Sequence, residues 1–266
     1  MTELAALETP VPLVDLDRLE RNIATMADYA RRHGLGLRPH TKTHKALTVA
    51  RAQVAHGAIG LTCATTRESE VMAEASHDLL VAHPPVGVKA EWLMRLDPAV
   101  TLTVALDSDE SLGVLAAAAR RHDRPVRVLI ELDLGMRRVG VTGIEEAIRL
   151  ATLVRAQAPL VYAGIMFYPG QIRQQPGEER DAHLARLDAT LLQRRGEMQR
   201  IGRGAEQAIC ACEPEGVDET VGHVDANRDA RAHRFEGIRI GGRHHEGGHH
   251  HRHDRIRTEA RGPERT

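Results

Sequence analysis

From residue 12 to about residue 192, short apolar runs alternate with longer stretches in which apolar residues recur at helical spacing. The runs at 12–15, 35–38, 59–63, 79–82, 101–106, 126–132 and 160–166 predict strands. The stretches at 17–33, 45–56, 66–76, 108–122 and 143–157 predict helices. Ser108 and Thr142 stand where N-caps belong, and Gly34 and Gly57 where helices should stop. Alternation at this pitch predicts parallel βα units, because parallel strands need crossover helices. Seven such units fit an α/β fold of TIM type, a (β/α)8 barrel lacking its last strand, better than an open sheet.

The pattern breaks after Leu192. No leucine follows, Phe235 is the only remaining aromatic residue, and half of the 16 histidines lie in this last part. With so little apolar material to bury, residues 201–266 are expected to form a disordered His/Arg/Gly-rich tail behind a barrel domain of residues 1–200. A leucine-free run rich in Arg, Gly and His is also what an out-of-frame reading of a GC-rich gene produces, and the tail is expected to be such a frameshift product.

Composition narrows the function classes. Hydrophobic residues at 42% and charged residues at 27% describe a soluble globular chain, and a formal net charge of -1 gives no reason to expect nucleic acid or an anionic membrane as partner. From Arg203 onward 11 basic residues are balanced by 12 acidic ones, which argues against a nucleic-acid arm. Residues 1–10 carry Glu3 and Glu8 and no apolar run, unlike a signal peptide, and nothing reaches the length of a spanning helix. Three cysteines are too few for a disulfide scaffold. A cytoplasmic location is the resulting expectation.

The densest chemistry is Arg38-Pro39-His40-Thr41-Lys42-Thr43-His44-Lys45, directly after the apolar 35–37 run. If the chain stays extended, His40, Lys42 and His44 point to one side. A lysine among cationic neighbours holds its ammonium less tightly, and a neutral amine is what attacks an aldehyde. Taken alone, the same residues read equally well as a solvated basic loop.

This motif resembles the cofactor-lysine signature of the D-threonine aldolase and D-serine dehydratase family, fold-type III enzymes that use pyridoxal 5'-phosphate (PLP) on a barrel of the alanine racemase N-terminal type. The resemblance runs from residue 9 to about 190. Val14-Asp15-Leu16-Asp17 is similar to the family's opening strand, and Gly60-Leu61-Thr62-Cys63-Ala64 with Glu70 to its third βα unit. Asp133-Leu134-Gly135-Met136-Arg137-Arg138-Val139-Gly140 and Tyr168-Pro169-Gly170 are similar to its later motifs. The resemblance implies that Lys42 forms the Schiff base, that His40, Arg138 and Tyr168 contact PLP, and that the substrate is a small D-amino acid. Arg138 could instead pair with Glu131 or Asp133, and Tyr168 could be a core residue with a wet tip.

The resemblance further implies a PLP-dependent lyase of D-3-hydroxy amino acids, with retro-aldol cleavage as the leading reaction, D-serine dehydratase-like elimination as an alternative and an inactive remnant as another. A racemase or PLP carrier is disfavoured by the His-Thr-Lys-Thr-His setting, and no opposing racemase base is evident. A homodimer is the expected assembly. The family's divalent metal is expected, but its His-x-Asp or His-x-Cys ligands and its Gly-Gly-Ser/Thr phosphate turn have no counterpart, so no metal ligand is assigned. His245-Glu246-Gly247-Gly248-His249 matches the zinc-protease pattern, yet two glycines inside that turn cost roughly 2 kcal/mol of helix propensity. His244–His253 would bind Ni2+ or Zn2+ only adventitiously, and Cys210-Ala211-Cys212 has the wrong spacing for common zinc motifs.

Overall fold

The computed structural model describes residues 12–186 and 238–240. Its centre is a parallel sheet in the order β2 (Leu61–Cys63), β3 (Asp78–Val81), β4 (Thr101–Leu106), β5 (Val126–Leu132) and β6 (Leu160–Phe167). The crossovers carry α3 (Thr66–Met72), α4 (Lys89–Met94), α5 (Asp109–Arg121) and α6 (Ile144–Arg155). Upstream lie α1 (Leu16–Arg32) and α2 (Leu47–Ala55), and a further helix begins at 177. The fold is a (β/α) barrel lacking part of its wall.

Two expected strands differ. The 35–38 run is extended without being a ladder strand. It lies parallel to β2 through Ile59 N–H to Leu37 O (2.9 Å), Thr62 N–H to Pro39 O (2.8 Å) and a bridge at His40. Pro39 has no N–H to donate, and the Thr62 hydroxyl takes the Arg38 carbonyl at 3.1 Å. The first run, β1 (Pro12–Val14), stands outside the parallel sheet and pairs antiparallel with β7 (Ile238–Ile240). It is three residues long, and Asp15 turns the chain at once into α1 by accepting the Arg18 N–H at 3.0 Å. Apart from β7, residues 201–266 lie outside the described residues.

Local chemistry explains the helix ends. Ser108 caps α5 by accepting the Ser111 N–H, whereas α6 starts from Gly143 without a side-chain cap, so Thr142 does not serve. Gly34 (φ +66) and Gly57 (φ +97) adopt the left-handed conformation that ends α1 and α2.

Strand alternation sorts the core into two faces. Val104, Leu106, Val128, Ile130 and Leu132 point outward against Leu112, Leu115, Ala116, Ala147, Leu150 and Val154 of α5 and α6. Leu80, Ala105, Leu129, Ala163 and Met166 form the inner cluster. The next inward positions along β4 and β5 are Asp107 and Glu131, so polar chemistry begins where the inner apolar layer ends.

Candidate active site

The segment carrying Lys42 is pinned from below. Arg38 makes a two-pronged ion pair with Asp78 (2.7 and 3.1 Å), and the fully buried Thr41 donates its hydroxyl to Thr62 O at 3.1 Å. After Pro39 the chain does not stay extended. Thr41–Thr43 form a 3-10 turn in which Thr41 O accepts from His44 N (3.2 Å) and Lys45 N (2.8 Å), with Lys45 held at φ +51. The period-two alignment of His40, Lys42 and His44 is therefore replaced by a turn, with the His40 ring Nδ1 accepting the Lys42 backbone N–H at 3.4 Å.

The electrostatics also differ from the expectation of several cations around Lys42. Burial, with the Lys42 charge second, pushes His40 down to about 4, and burial lowers His44 as well. His40 is thus neutral at pH 7. Arg138 brings a positive group to the same place: its guanidinium carbon lies 5.5 Å from the centroid of the Tyr168 ring, and Lys42 Nζ lies 5.9 Å from the same centroid. Residues 42, 138 and 168, from three separate βα connections, thus meet at one ring, with His40 beside them. These connections follow the C-terminal ends of the strands, where barrels of this type keep their sites.

The loop after β5 is shaped by its backbone. Val141 folds back on the strand end (Val141 N–H to Glu131 O and Asp133 N–H to Val141 O, both 2.9 Å). The Asp133 carboxylate accepts Gly135 N–H at 2.8 Å and Arg137 N–H at 3.0 Å, and Arg137 is held at φ +53. Gly140, at φ +101, lies so close to the strand that a Cβ would sit 2.6 Å from Asp133 N. Among the described residues Arg138 makes no ion pair within 4 Å, so the pairing with Glu131 or Asp133 is not formed. Gly170 has a matching role after β6: a Cβ there would lie 2.4 Å from the Tyr168 ring.

Three side chains near this constellation were not singled out by the sequence as site residues. Asp107 accepts the Gly140 N–H at 2.9 Å, and Gln171 donates to Leu134 O at 2.8 Å. Glu131 is 2% exposed, and its Oε2 has no hydrogen-bond partner among the described residues. Burial raises Glu131 to about 7; Arg138 opposes this, while Asp107 and Asp133 reinforce it. Only strand alternation, which sends residues 129 and 131 to the same side, could have flagged Glu131.

Among the described residues no group of three or more His, Cys, Asp and Glu could hold a metal, and no helix is long and apolar enough to cross a membrane. The His245–His249, His244–His253 and Cys210–Cys212 motifs lie outside the described residues.

Comparison with known proteins places the fold in a family. The model of the family described as alanine racemase, N-terminal domain, matches residues 14–205. The chain is 33% identical over 215 residues to a 3-hydroxy-D-aspartate aldolase of Paracoccus denitrificans (strain Pd 1222), covering 79% of this chain and 52% of that protein. It is 35% identical over 150 residues to a D-threo-3-hydroxyaspartate dehydratase of Delftia sp. (strain HT23), covering 56% and 40%. The crystal structure of D-threonine aldolase from Filomicrobium marinum superposes with a TM-score of 0.73 at 34% identity, over 77% of this chain and 56% of that one. The chain therefore spans about half the length of the relatives it matches.

Proposed function

Because the chain belongs to the alanine racemase N-terminal-domain family of fold-type III PLP enzymes, we propose that it is a PLP-dependent lyase acting on D-3-hydroxy amino acids, with retro-aldol cleavage as its reaction. The observation that carries this reading is the convergence of the Lys42 amine and the Arg138 guanidinium on the Tyr168 ring.

The residues present fit the cofactor. PLP is a planar aromatic aldehyde, and the site offers a primary amine for its carbonyl carbon, a permanent cation that donates hydrogen bonds, and a flat ring folded over Gly170. In this reading Lys42 would hold the cofactor through its carbonyl carbon, and Arg138, Tyr168 and His40 would bind the ring. When bound, the cofactor supplies an electron sink for a bond broken at the substrate Cα.

The chain's own residues set the conditions for that step. Arg138 would donate hydrogen bonds to the bound ring and orient it. His40, neutral at pH 7, adds no second positive charge beside Lys42. Because its Nδ1 accepts the Lys42 backbone N–H, Nε2 carries the ring proton. The family's divalent metal would act on the substrate hydroxyl as a Lewis acid; among the described residues no cluster fits one.

Retro-aldol cleavage breaks Cα–Cβ, so that D-threonine gives glycine and acetaldehyde. Elimination of the β-hydroxyl is the second reading, favoured by the likeness to a D-threo-3-hydroxyaspartate dehydratase; on that substrate or on D-serine it gives a 2-oxo acid and ammonia. The test is product analysis of the PLP-treated protein with D-threonine, D-3-hydroxyaspartate and D-serine, beside Lys42→Ala. Glycine with an aldehyde supports the aldolase, 2-oxo acid with ammonia the dehydratase. No product from any of them, or product that survives Lys42→Ala, refutes the lyase reading.

A further inference from the structure

We infer that Asp107 and Gln171 are positioning residues for Arg138, gripping its loop from the two neighbouring βα connections so that the guanidinium is delivered to the cofactor ring. The inference rests on the PLP reading above and deepens it.

The loop from Asp133 to Gly140 has few ties of its own. Asp133 closes its first half through Gly135 and Arg137, and Val141 rejoins the strand. Between these points Gly140 N–H faces away from the β5 ladder, and its partner is the Asp107 carboxylate, 33 residues earlier, at the end of β4. Gly140 is two residues from Arg138, and a side chain there would collide with the backbone of residues 131–133. The close approach and the Asp107 hydrogen bond thus fix the same stretch independently.

On the β6 side, Gln171 Nε2 donates to Leu134 O, while Gln171 Oε1 is buried without a partner among the described residues. An unsatisfied buried amide oxygen costs stability; here it comes with a tie between the loop of Arg138 and the turn that holds Tyr168. Asp107 has an ordinary alternative as an acidic residue before the Ser108 cap, but its carboxylate reaches across to the β5 loop instead.

The test measures PLP affinity of the 266-residue chain by equilibrium titration, with amide hydrogen exchange of the apoprotein alongside. Asp107→Ala is expected to weaken PLP binding about tenfold and to speed exchange of the Gly140 amide, and Gln171→Ala to weaken binding similarly. Asp107→Asn, which keeps an oxygen that can accept the Gly140 N–H, is expected to stay within about threefold of wild type. In an Arg138→Gln background Asp107→Ala is expected to add less than about twofold, because its effect passes through Arg138. An equal loss with and without Arg138, or a lower Tm with unchanged Gly140 exchange, overturns the inference. Wild-type protein that binds PLP equally well with Asp107→Ala overturns this inference alone. Wild-type protein that binds no PLP overturns the cofactor reading as well.

Discussion

Glu131 offers a measurable consequence that needs no cofactor. Its carboxyl sits at the end of β5, 2% exposed, with one oxygen unpartnered among the described residues, and burial lifts it from 4.5 to about 7. A carboxyl whose folded value is raised keeps its proton in the folded state while the unfolded chain has already released it. Stability from this group is therefore fully present below about pH 4.5 and is lost as pH rises through about 7. The full loss corresponds to on the order of 3 kcal/mol.

Glu131→Gln keeps the shape and cannot ionise. Thermal melts of the apoprotein between pH 5 and pH 8.5 should show nearly equal Tm at the acidic end. At pH 8.5 the variant should melt higher by roughly 6–12 °C, taking about 2–4 °C per kcal/mol for a domain of this size. Arg138 bears directly on the outcome, since its charge pulls against burial; Arg138→Gln alone should widen the pH dependence, and adding Glu131→Gln to it should remove that dependence. Wild-type and Glu131→Gln curves running parallel across the whole pH range would refute the assignment of a raised carboxyl to Glu131.

Further outcomes follow from single residues. Gly170→Ala should leave the melting temperature of the apoprotein within a few degrees but abolish PLP retention after desalting, because the added methyl would drive the Tyr168 ring out of place. Arg124 donates to the carbonyls of Met94, Leu96, Asp97 and Val100, so Arg124→Met should cost on the order of 3 kcal/mol in chemical denaturation by leaving those carbonyls unpaired. The value of about 4 for His40 lies below its ordinary 6.5, so its contribution to stability is present above about pH 6.5 and lost as pH falls through about 4. His40→Asn should accordingly flatten the acid limb of the stability profile and leave the neutral region unchanged.

The sheet was largely legible because its strands are short, nearly continuous apolar runs; the 101–106 and 126–132 runs coincide with β4 and β5. The helix Lys89–Met94 was not anticipated. It has six residues, and its neighbourhood exposes Val86, Val88 and Trp92, which blurs the amphipathic period. Lys42, Arg138 and Tyr168 were legible as motif residues, but not the turn that presents Lys42. Period two assumes a continuing strand, and the turn that follows Pro39 ends it. Asp107 and Gln171 were invisible for another reason: their contacts span 33 and 37 residues, and nothing in the local sequence marks a carboxylate or amide that serves another loop's backbone.

The central claim is that Lys42 bonds the cofactor in a PLP site built by this chain. Its most direct test is the visible absorption spectrum of the purified protein after incubation with PLP and desalting, beside Lys42→Ala. A band that survives desalting in the wild type and is absent from the folded variant is the expected result. Folded wild-type protein without a band, or a band that persists unchanged in Lys42→Ala, would contradict the account.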